Sequence, residues 1–162
     1  MRGVWDEEAV DELDHALQSA ARARDDGADD ELVLAAALHD VARSPLVDRG
    51  DPRHDRVARA WLTPRFGLRV GWLAGAHVAA KRYLAATEPG YADTLSEVSV
   101  ATLRDQGGAA QDPEYVRHPW WPDALRLRHY DDAAKDPAAT QLTIDEVLVV
   151  AERVLRQTDS HV

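Results

Sequence analysis

The chain has 162 residues, a formal net charge of −10 from 19 basic and 29 acidic residues, and no cysteine. A chain of this length can bury a core of its own, and without thiols it can form no disulfide or metal–thiolate site. The acidic charge argues against nucleic-acid binding, and no apolar run is long enough to span a membrane. We therefore expect one cytoplasmic domain over residues 1–162, in which any metal is bound by imidazole and carboxylate.

Helical periodicity runs through the whole chain, and strand-like alternation is essentially absent. Gly27 is expected to end the first helix, Asp29 or Asp30 to cap the second, and Thr143 to cap the last. In chain order the pattern predicts helices over 6–24, 30–43, 54–66, 69–86, 94–105, 112–117, 122–135 and 144–157. The predicted fold class is all-α, a helical bundle.

His39 and Asp40 are adjacent in the middle of the most apolar predicted helix. Burying such a pair is unfavourable unless its charges are compensated, and a metal ion is the usual compensation. The alternative is a core histidine whose hydrogen bonds are satisfied by a neighbouring carboxylate. The dipeptide alone does not decide between these two interpretations.

Further imidazoles and carboxylates occur on other predicted helices. His15 lies on the inward stripe of the first, His54 begins the third, and His77 lies within the largely apolar fourth. Asp131 and Asp132 follow near the end of a later helix. Helical bundles build metal sites in their cores from such scattered residues, and six donors with one shared aspartate suit two metal ions.

The order His…His-Asp…His…His…Asp resembles that of the HD-domain superfamily, and specifically of its dinuclear members. Several segments together resemble its mixed-valence di-iron oxygenases of organophosphonate catabolism: ELDHALQSA, AAALHDVA, HVAAKRYLAA, LSEVSVATLRDQGG and LRLRHYDDAAK. The resemblance extends from about Glu8 to Lys135 and implies an HD-domain bundle with a dinuclear site in its core. It implies six ligands, with Asp40 bridging the metals: His15, His39, Asp40, His54, His77 and Asp131.

The resemblance also implies a reaction. Two iron ions, Fe(II) and Fe(III), with O2 as co-substrate, would cleave the carbon–phosphorus bond of a small anionic 1-hydroxyphosphonate to phosphate and a carboxylic acid. Two alternatives stay open, because the ligand order is shared across the superfamily. One is a dinuclear HD phosphohydrolase acting on a small phosphate ester or nucleotide. The other is an HD domain that only binds or regulates.

Polar residues near the ligands point to an anionic substrate. Lys81 lies four residues after His77, so both project from one face of a mostly apolar helix, where a lysine suits a phosphonate clamp. Ser99, Thr102 and Gln106 form a stripe at i, i+3 and i+7. By spacing alone this stripe would be an exposed polar face, but the resemblance implies that its hydroxyls bind the phosphonate.

Two positions depart from the family pattern. Arg43 stands where the family has a substrate-contacting histidine; it can still bind a phosphonate but cannot shuttle protons near neutral pH. Trp5 stands where the family has a tyrosine, and Glu8 matches a family glutamate near the substrate's amine end. Trp5 either stacks on a cationic substrate group or packs on the core. Catalytic roles are expected for Asp40, Lys81, Glu8 and Arg43.

Other residues have less specific expectations. Arg128 lies three residues before Asp131 and could hold either that ligand or the substrate anion. Lys135 is interpreted as structural. The remaining histidines have no assigned role: His118, His129 and His161.

Overall fold

The structure is a computed structural model and describes residues 10–45, 47 and 51–159. Helices and turns make up the regular structure of these residues, with no strand among them, which confirms the predicted all-α class. The helices are α1 (Glu12–Asp25), α2 (Asp30–Leu38), α3 (His54–Phe66), α4 (Leu68–Thr87), α5 (Glu97–Asp105), α6 (Pro113–Val116), α7 (Trp121–Ala133) and α8 (Ile144–Asp159). Two 3₁₀ turns cover Val41–Arg43 and Tyr91–Thr94. None of the helices described is both long and apolar enough to cross a bilayer.

Side-chain caps explain where several helices begin. Asp11 accepts hydrogen bonds from two backbone N–H groups at the start of α1, and Asp29 accepts one at the start of α2. Before α8, Thr143 and Glu146 cap each other reciprocally, with Thr143 N 2.7 Å from Glu146 Oε2 and Glu146 N 3.2 Å from Thr143 Oγ1. Acidic groups at these ends also match the positive end of the helix dipole. The predicted caps Asp29 and Thr143 are confirmed.

The prediction that the second helix continues to Arg43 is wrong. α2 ends at Leu38, His39 keeps helical angles (φ −58°, ψ −34°), and Asp40 departs from them (φ −99°, ψ 19°). Successive side chains on an α-helix point about 100° apart. Leaving the helix at Asp40 therefore changes the direction of its side chain relative to that of His39.

Other predicted boundaries shift by a few residues. α5 begins at Glu97 after the capping Ser96, so its predicted start at Thr94 is wrong; Thr94 belongs to the preceding 3₁₀ turn. α7 ends at Ala133, short of Lys135. In both cases the ends depend on capping contacts that hydrophobic periodicity does not report.

The bundle is arranged around α4 and α2. α4 is 20 residues long and contacts α2, α3 and α7, while α1, α7 and α8 also pack on α2. Arg69, at the start of α4, joins three acidic residues: its guanidinium lies 2.8 Å from Asp29, 2.9 Å from Glu31 and 2.8 Å from Asp123. The core between the helices is made of fully buried aliphatic side chains, among them Leu32, Leu34, Leu73, Leu127 and Val154.

Two glycines allow α3 and α4 to cross closely. A Cβ atom at Gly71 would overlap Thr63 Oγ1 and lie 3.0 Å from Thr63 N and 3.1 Å from Arg59 O. One turn later, a Cβ atom at Gly75 would lie 3.0 Å from Arg59 Cβ. This crossing brings together the two helices that carry His54 and His77.

We expect Gly71→Ala to destabilise the protein by about 1–3 kcal/mol, because the added methyl meets backbone atoms of α3. The loss should appear although alanine is favoured over glycine in a helix by about 0.5–1 kcal/mol. Urea unfolding followed by circular dichroism measures it. The double variant Gly71→Ala/Thr63→Ala is the control: it removes the overlap with the threonine hydroxyl but not the backbone contacts, so it should recover only part of the stability. A Gly71→Ala variant as stable as the parent would mean that the helices can move apart freely.

Candidate metal centre

The fold brings the six predicted metal ligands together in two groups. His15 of α1, His39 after α2 and Asp131 of α7 have donor atoms that all lie within 4.8 Å of one another. The same limit holds for the second group, which consists of Asp40, His54 at the start of α3 and His77 in the middle of α4. Five separate segments of the chain therefore converge on one buried point.

Asp40 lies between the two groups. Its Oδ2 atom is 3.4 Å from His39 Nε2 and 4.0 Å from His15 Nε2. Its Oδ1 atom is 3.5 Å from His54 Nε2 and 3.7 Å from His77 Nε2. Each carboxylate oxygen thus faces a different group, which is the placement that a bridging ligand needs.

The hydrogen bonds of the histidines fix their tautomers. Three Nδ1 atoms donate to backbone carbonyls: His15 to Ala134 (2.9 Å), His39 to Ala36 (2.8 Å) and His77 to Ala74 (2.5 Å). A carbonyl can only accept, so in the neutral ring Nδ1 carries the proton and the Nε2 lone pair points into the centre. These Nε2 atoms are crowded, with His15 and His39 3.4 Å apart and His54 and His77 3.0 Å apart. The lone pairs of His15 and His39 are opposed, which favours a cation between them.

The ionised carboxylates of the site also favour a positive charge beside them. Burial lowers the pKa of His77 well below its ordinary value, and the neighbouring His54 lowers it further. Burial would raise the pKa of Asp131, but Arg128 and His39 hold it well below its usual range. Against burial, Asp40 and Asp131 raise the pKa of His39 well above normal. Two anionic carboxylates thus attract a positive charge at this point, which a metal ion would supply in place of a proton.

The donor set fits two iron ions. Four imidazoles and two carboxylates without a thiolate suit iron, manganese or zinc. The buried Asp40 Oδ1 accepts no hydrogen bond from the described residues, so one ligand position is left for a metal. Both groups have the same two donor types, which suits a pair of similar ions rather than one structural ion.

A small cavity of about 50 Å³ lies beside the ligands, and cationic and hydroxyl side chains line it. Lys81 Nζ donates to Thr102 Oγ1 at 2.8 Å, and Lys135 Nζ donates to Ser99 Oγ at 2.9 Å. Burial, followed by the charge of Arg128, lowers the pKa of Lys81 to about 8. Gln106 completes this wall with a buried Oε1 atom that has no hydrogen-bond partner among the described residues. We call Lys81, Lys135, Ser99, Thr102 and Gln106 the anion cradle.

Lys135 was interpreted as structural from sequence, yet it lines the cavity. A compositional signal could have identified it, because Lys81 and Lys135 are the only two lysines in the chain. The other 17 basic residues are arginines. In a chain whose other basic residues are arginines, a lysine indicates a site that needs a compact ammonium group.

Sequence reasoning also missed Glu12, which lines the cavity and is buried. Its Oε1 atom lies 3.9 Å from the guanidinium of Arg43, whose Nε is 3.3 Å from Asp40 Oδ1. Arg43, for which the resemblance implied a role at the substrate, lines the cavity, but two carboxylates share its charge. Glu12 lies one turn before His15, a spacing that could have indicated a shared helix face.

The remaining predicted residues have other surroundings. Arg128 is buried and does not line the cavity. Its NH1 atom donates to Asp131 Oδ2 at 2.5 Å, which matches the predicted role of holding the ligand rather than that of binding the substrate anion. Trp5, Glu8 and His161 lie outside the described residues. His118 stacks on Trp72, with ring centroids 4.1 Å apart, and the side chain of His129 is exposed.

A larger cleft of about 770 Å³ adjoins the cavity. The two share four lining residues, which are Arg43, His54, Thr102 and Gln106. The cleft is open to solvent and carries both arginine and aspartate side chains, including Arg56, Arg82 and Asp105. It therefore provides a route by which a small molecule can reach the ligands.

No protein-family model matches the chain. The chain is 36% identical over 141 residues to the hydroxymethylphosphonate dioxygenase of Gimesia maris, with 80% of this chain and 70% of the relative covered. It is 30% identical over 164 residues to the glycine-betaine-forming 1-hydroxy-2-(trimethylamino)ethylphosphonate dioxygenase of Leisingera caerulea, with 95% and 82% covered. This similarity, over most of the chain, shows that the chain belongs to the family of phosphonate dioxygenases.

Proposed function

We propose that the protein cleaves the carbon–phosphorus bond of a small 1-hydroxyphosphonate oxidatively, with O2 as co-substrate and two iron ions as cofactor. The observation that supports this most directly is the anion cradle beside the two ligand groups, with two ammonium groups in one small cavity. Both relatives described above are named phosphonate dioxygenases. The reaction consumes one O2: one oxygen atom is added to C1, which becomes a carboxylic acid, and one to phosphorus, which leaves as phosphate.

The cradle would bind the phosphonate. A phosphonate dianion carries two negative charges, and the ammonium groups of Lys81 and Lys135 supply two positive ones. The hydroxyls of Thr102 and Ser99 already bond these lysines at 2.8 and 2.9 Å, so they hold both ammonium groups in place before substrate arrives. The lysines can also donate to the phosphonate oxygens, because each ammonium group has three N–H bonds.

The substrate's hydroxyl needs an acceptor, and the amide of Gln106 is suited to this role. Its oxygen is buried and has no hydrogen-bond partner among the described residues, so a bond from the C1 hydroxyl would satisfy it. Gln106 directly follows the last residue of α5, and its backbone N–H donates to the carbonyl of Thr102, so the phosphonate and the hydroxyl would be bound at the C-terminal end of one helix. This arrangement selects a phosphonate with a hydroxyl on the carbon next to phosphorus.

The metal ligands would be His15, His39 and Asp131 for one iron and His54, His77 and Asp40 for the other, with Asp40 shared. The iron pair, when bound, supplies the redox chemistry that activates O2 and accepts electrons from the C1 carbon. The carbonyl bonds to Nδ1 would direct the Nε2 atoms of His15, His39 and His77 toward the metals, and the charge of Arg128 would keep Asp131 ionised.

The first test is oxygen dependence. Protein reconstituted anaerobically with iron should release phosphate from hydroxymethylphosphonate or a longer 1-hydroxyphosphonate only after O2 is admitted, in amounts matching the O2 consumed. Phosphate is measured colorimetrically and O2 with an electrode. Release of phosphate from the phosphonate under strict anaerobiosis would overturn the oxygenase proposal. Anaerobic release of phosphate from a small phosphate ester, with none from the phosphonate, would instead support a dinuclear phosphohydrolase.

The second test concerns metal stoichiometry. We expect two iron ions per chain, and His15→Ala should lose the ion of its own group while largely keeping the other, because the groups share only Asp40. His129→Ala is the matched control, since this exposed histidine lies on α7 away from the ligands. Iron is counted by inductively coupled plasma mass spectrometry after anaerobic loading and gel filtration. Equal iron content in the two variants would remove His15 from the ligand set.

The third test concerns the cradle. Lys81→Met and Lys135→Met should each lower kcat/KM for the phosphonate by about 10- to 100-fold, the loss typical of one hydrogen bond to a charged group. Iron content should stay at the parent value, because neither lysine is a ligand. Arg104→Met removes an exposed positive charge from α5 and serves as control. Were Lys135→Met to behave like Arg104→Met, Lys135 would have no part in substrate binding.

A further inference from the structure

Arg128 lies in a closed ring of hydrogen bonds next to the metal ligands. Its Nε donates to the hydroxyl of Tyr91 at 3.1 Å, and that hydroxyl donates to Asp132 Oδ2 at 2.5 Å. The ring closes where NH2 of Arg128 donates to Asp132 Oδ1. Arg128 and Tyr91 are buried, with 4% and 7% of their surfaces exposed, so solvent cannot replace these bonds easily.

The same guanidinium holds the ligand Asp131. NH1 of Arg128 donates to Asp131 Oδ2 at 2.5 Å, while Asp131 Oδ1 faces His15 Nε2 at 3.2 Å. One carboxylate oxygen is therefore occupied by Arg128, and the other is directed toward the ligand group. This arrangement favours binding of a metal through a single oxygen of Asp131.

Tyr91 and Asp132 determine how the guanidinium is oriented. A planar guanidinium donates in fixed directions, so bonds on Nε and NH2 set the direction of the bond from NH1. Tyr91 comes from the 3₁₀ turn after α4, whereas Arg128, Asp131 and Asp132 all lie on α7. Tyr91 is thus the one member of the ring that fixes α7's arginine from a separate segment.

We propose that Tyr91 is a positioning residue for the metal ligand Asp131, acting through Arg128 and Asp132. It controls the affinity and the spectroscopic signature of the metal bound by His15, His39 and Asp131. This inference rests on the metal centre of the proposed function but not on the reaction or the substrate. Tyr91 is not among the residues that line the cavity, so a direct role in substrate binding is not involved.

Removing the hydroxyl of Tyr91 leaves one buried and one half-buried group without this partner. Arg128 Nε loses its acceptor, and Asp132 Oδ2 loses its donor. The guanidinium can then rotate, and Asp131 Oδ2 becomes free to approach the metal or to turn away from it. Changes to partners that orient a metal ligand typically lower metal affinity by about 10- to 100-fold.

The experiment compares Tyr91→Phe with the parent protein by anaerobic Fe(II) titration followed calorimetrically, without substrate or O2. We expect two sites in the parent, and in the variant one site weakened by about 10- to 100-fold while the other keeps its affinity. In a separate sample of each protein, partially oxidised with O2 to the mixed-valence form, the electron paramagnetic resonance signal should shift as well. A purely structural role for Tyr91 would lower thermal stability but would not affect one site selectively.

Tyr83→Phe is the matched control, because Tyr83 on α4 packs edge-on against Trp121, with ring centroids 5.3 Å apart, within the hydrophobic core. It should leave both sites unchanged. Asp132→Asn is a second variant that keeps the side-chain size and should weaken the same site as Tyr91→Phe. Two unchanged sites and an unchanged spectrum in Tyr91→Phe would overturn this inference but not the metal centre. A parent protein that binds no iron would overturn both the inference and the metal centre.

Discussion

Two carboxylates and four imidazoles share the interior of a small helical bundle, and this burial constrains the rest of the structure. Anionic Asp40 and Asp131 in a core are tolerated only when positive charge meets them. Arg128 supplies part of that charge from α7, and the lone pairs of the histidines leave room for metal ions to supply the rest. Half of the described helices support this one cluster directly, since α1, α3, α4 and α7 each contribute at least one ligand.

The cavity places cationic groups inside an acidic chain. The chain as a whole carries a net charge of −10, yet the cavity wall presents Lys81, Lys135 and Arg43 together with three carboxylates. The acidic charge of the chain disfavours long polyanions, which would have to lie along its surface. Under the proposed function, a compact phosphonate dianion would enter the cavity and meet the two ammonium groups there.

The class of fold could be predicted because it depends on a local pattern, whereas the six ligands were predicted from a resemblance in the order of histidines and aspartates along the chain. Helical periodicity is a property of neighbouring residues, and the His39–Asp40 pair stands out within an apolar helix. Lys81 could be singled out for the same reason, because it lies one helical turn after His77. Tyr91 could not be found in this way, because its contact with Arg128 joins residues 37 apart in sequence. The end of α2 at Leu38 was not predicted, because the residues that follow it have a helical pattern of apolar side chains. The chain nevertheless leaves the α-helix where it reaches the metal ligands.

Side-chain amines occur at only two positions in the chain, and both are in the cavity. The low pKa of about 8 at Lys81 leaves a larger unprotonated fraction at neutral pH than an ordinary lysine has. Reagents that acylate or reductively alkylate side-chain amines would therefore act on the cradle and leave the arginine-rich exterior unmodified. The composition of the chain thus restricts the modification of side-chain amines to its cavity.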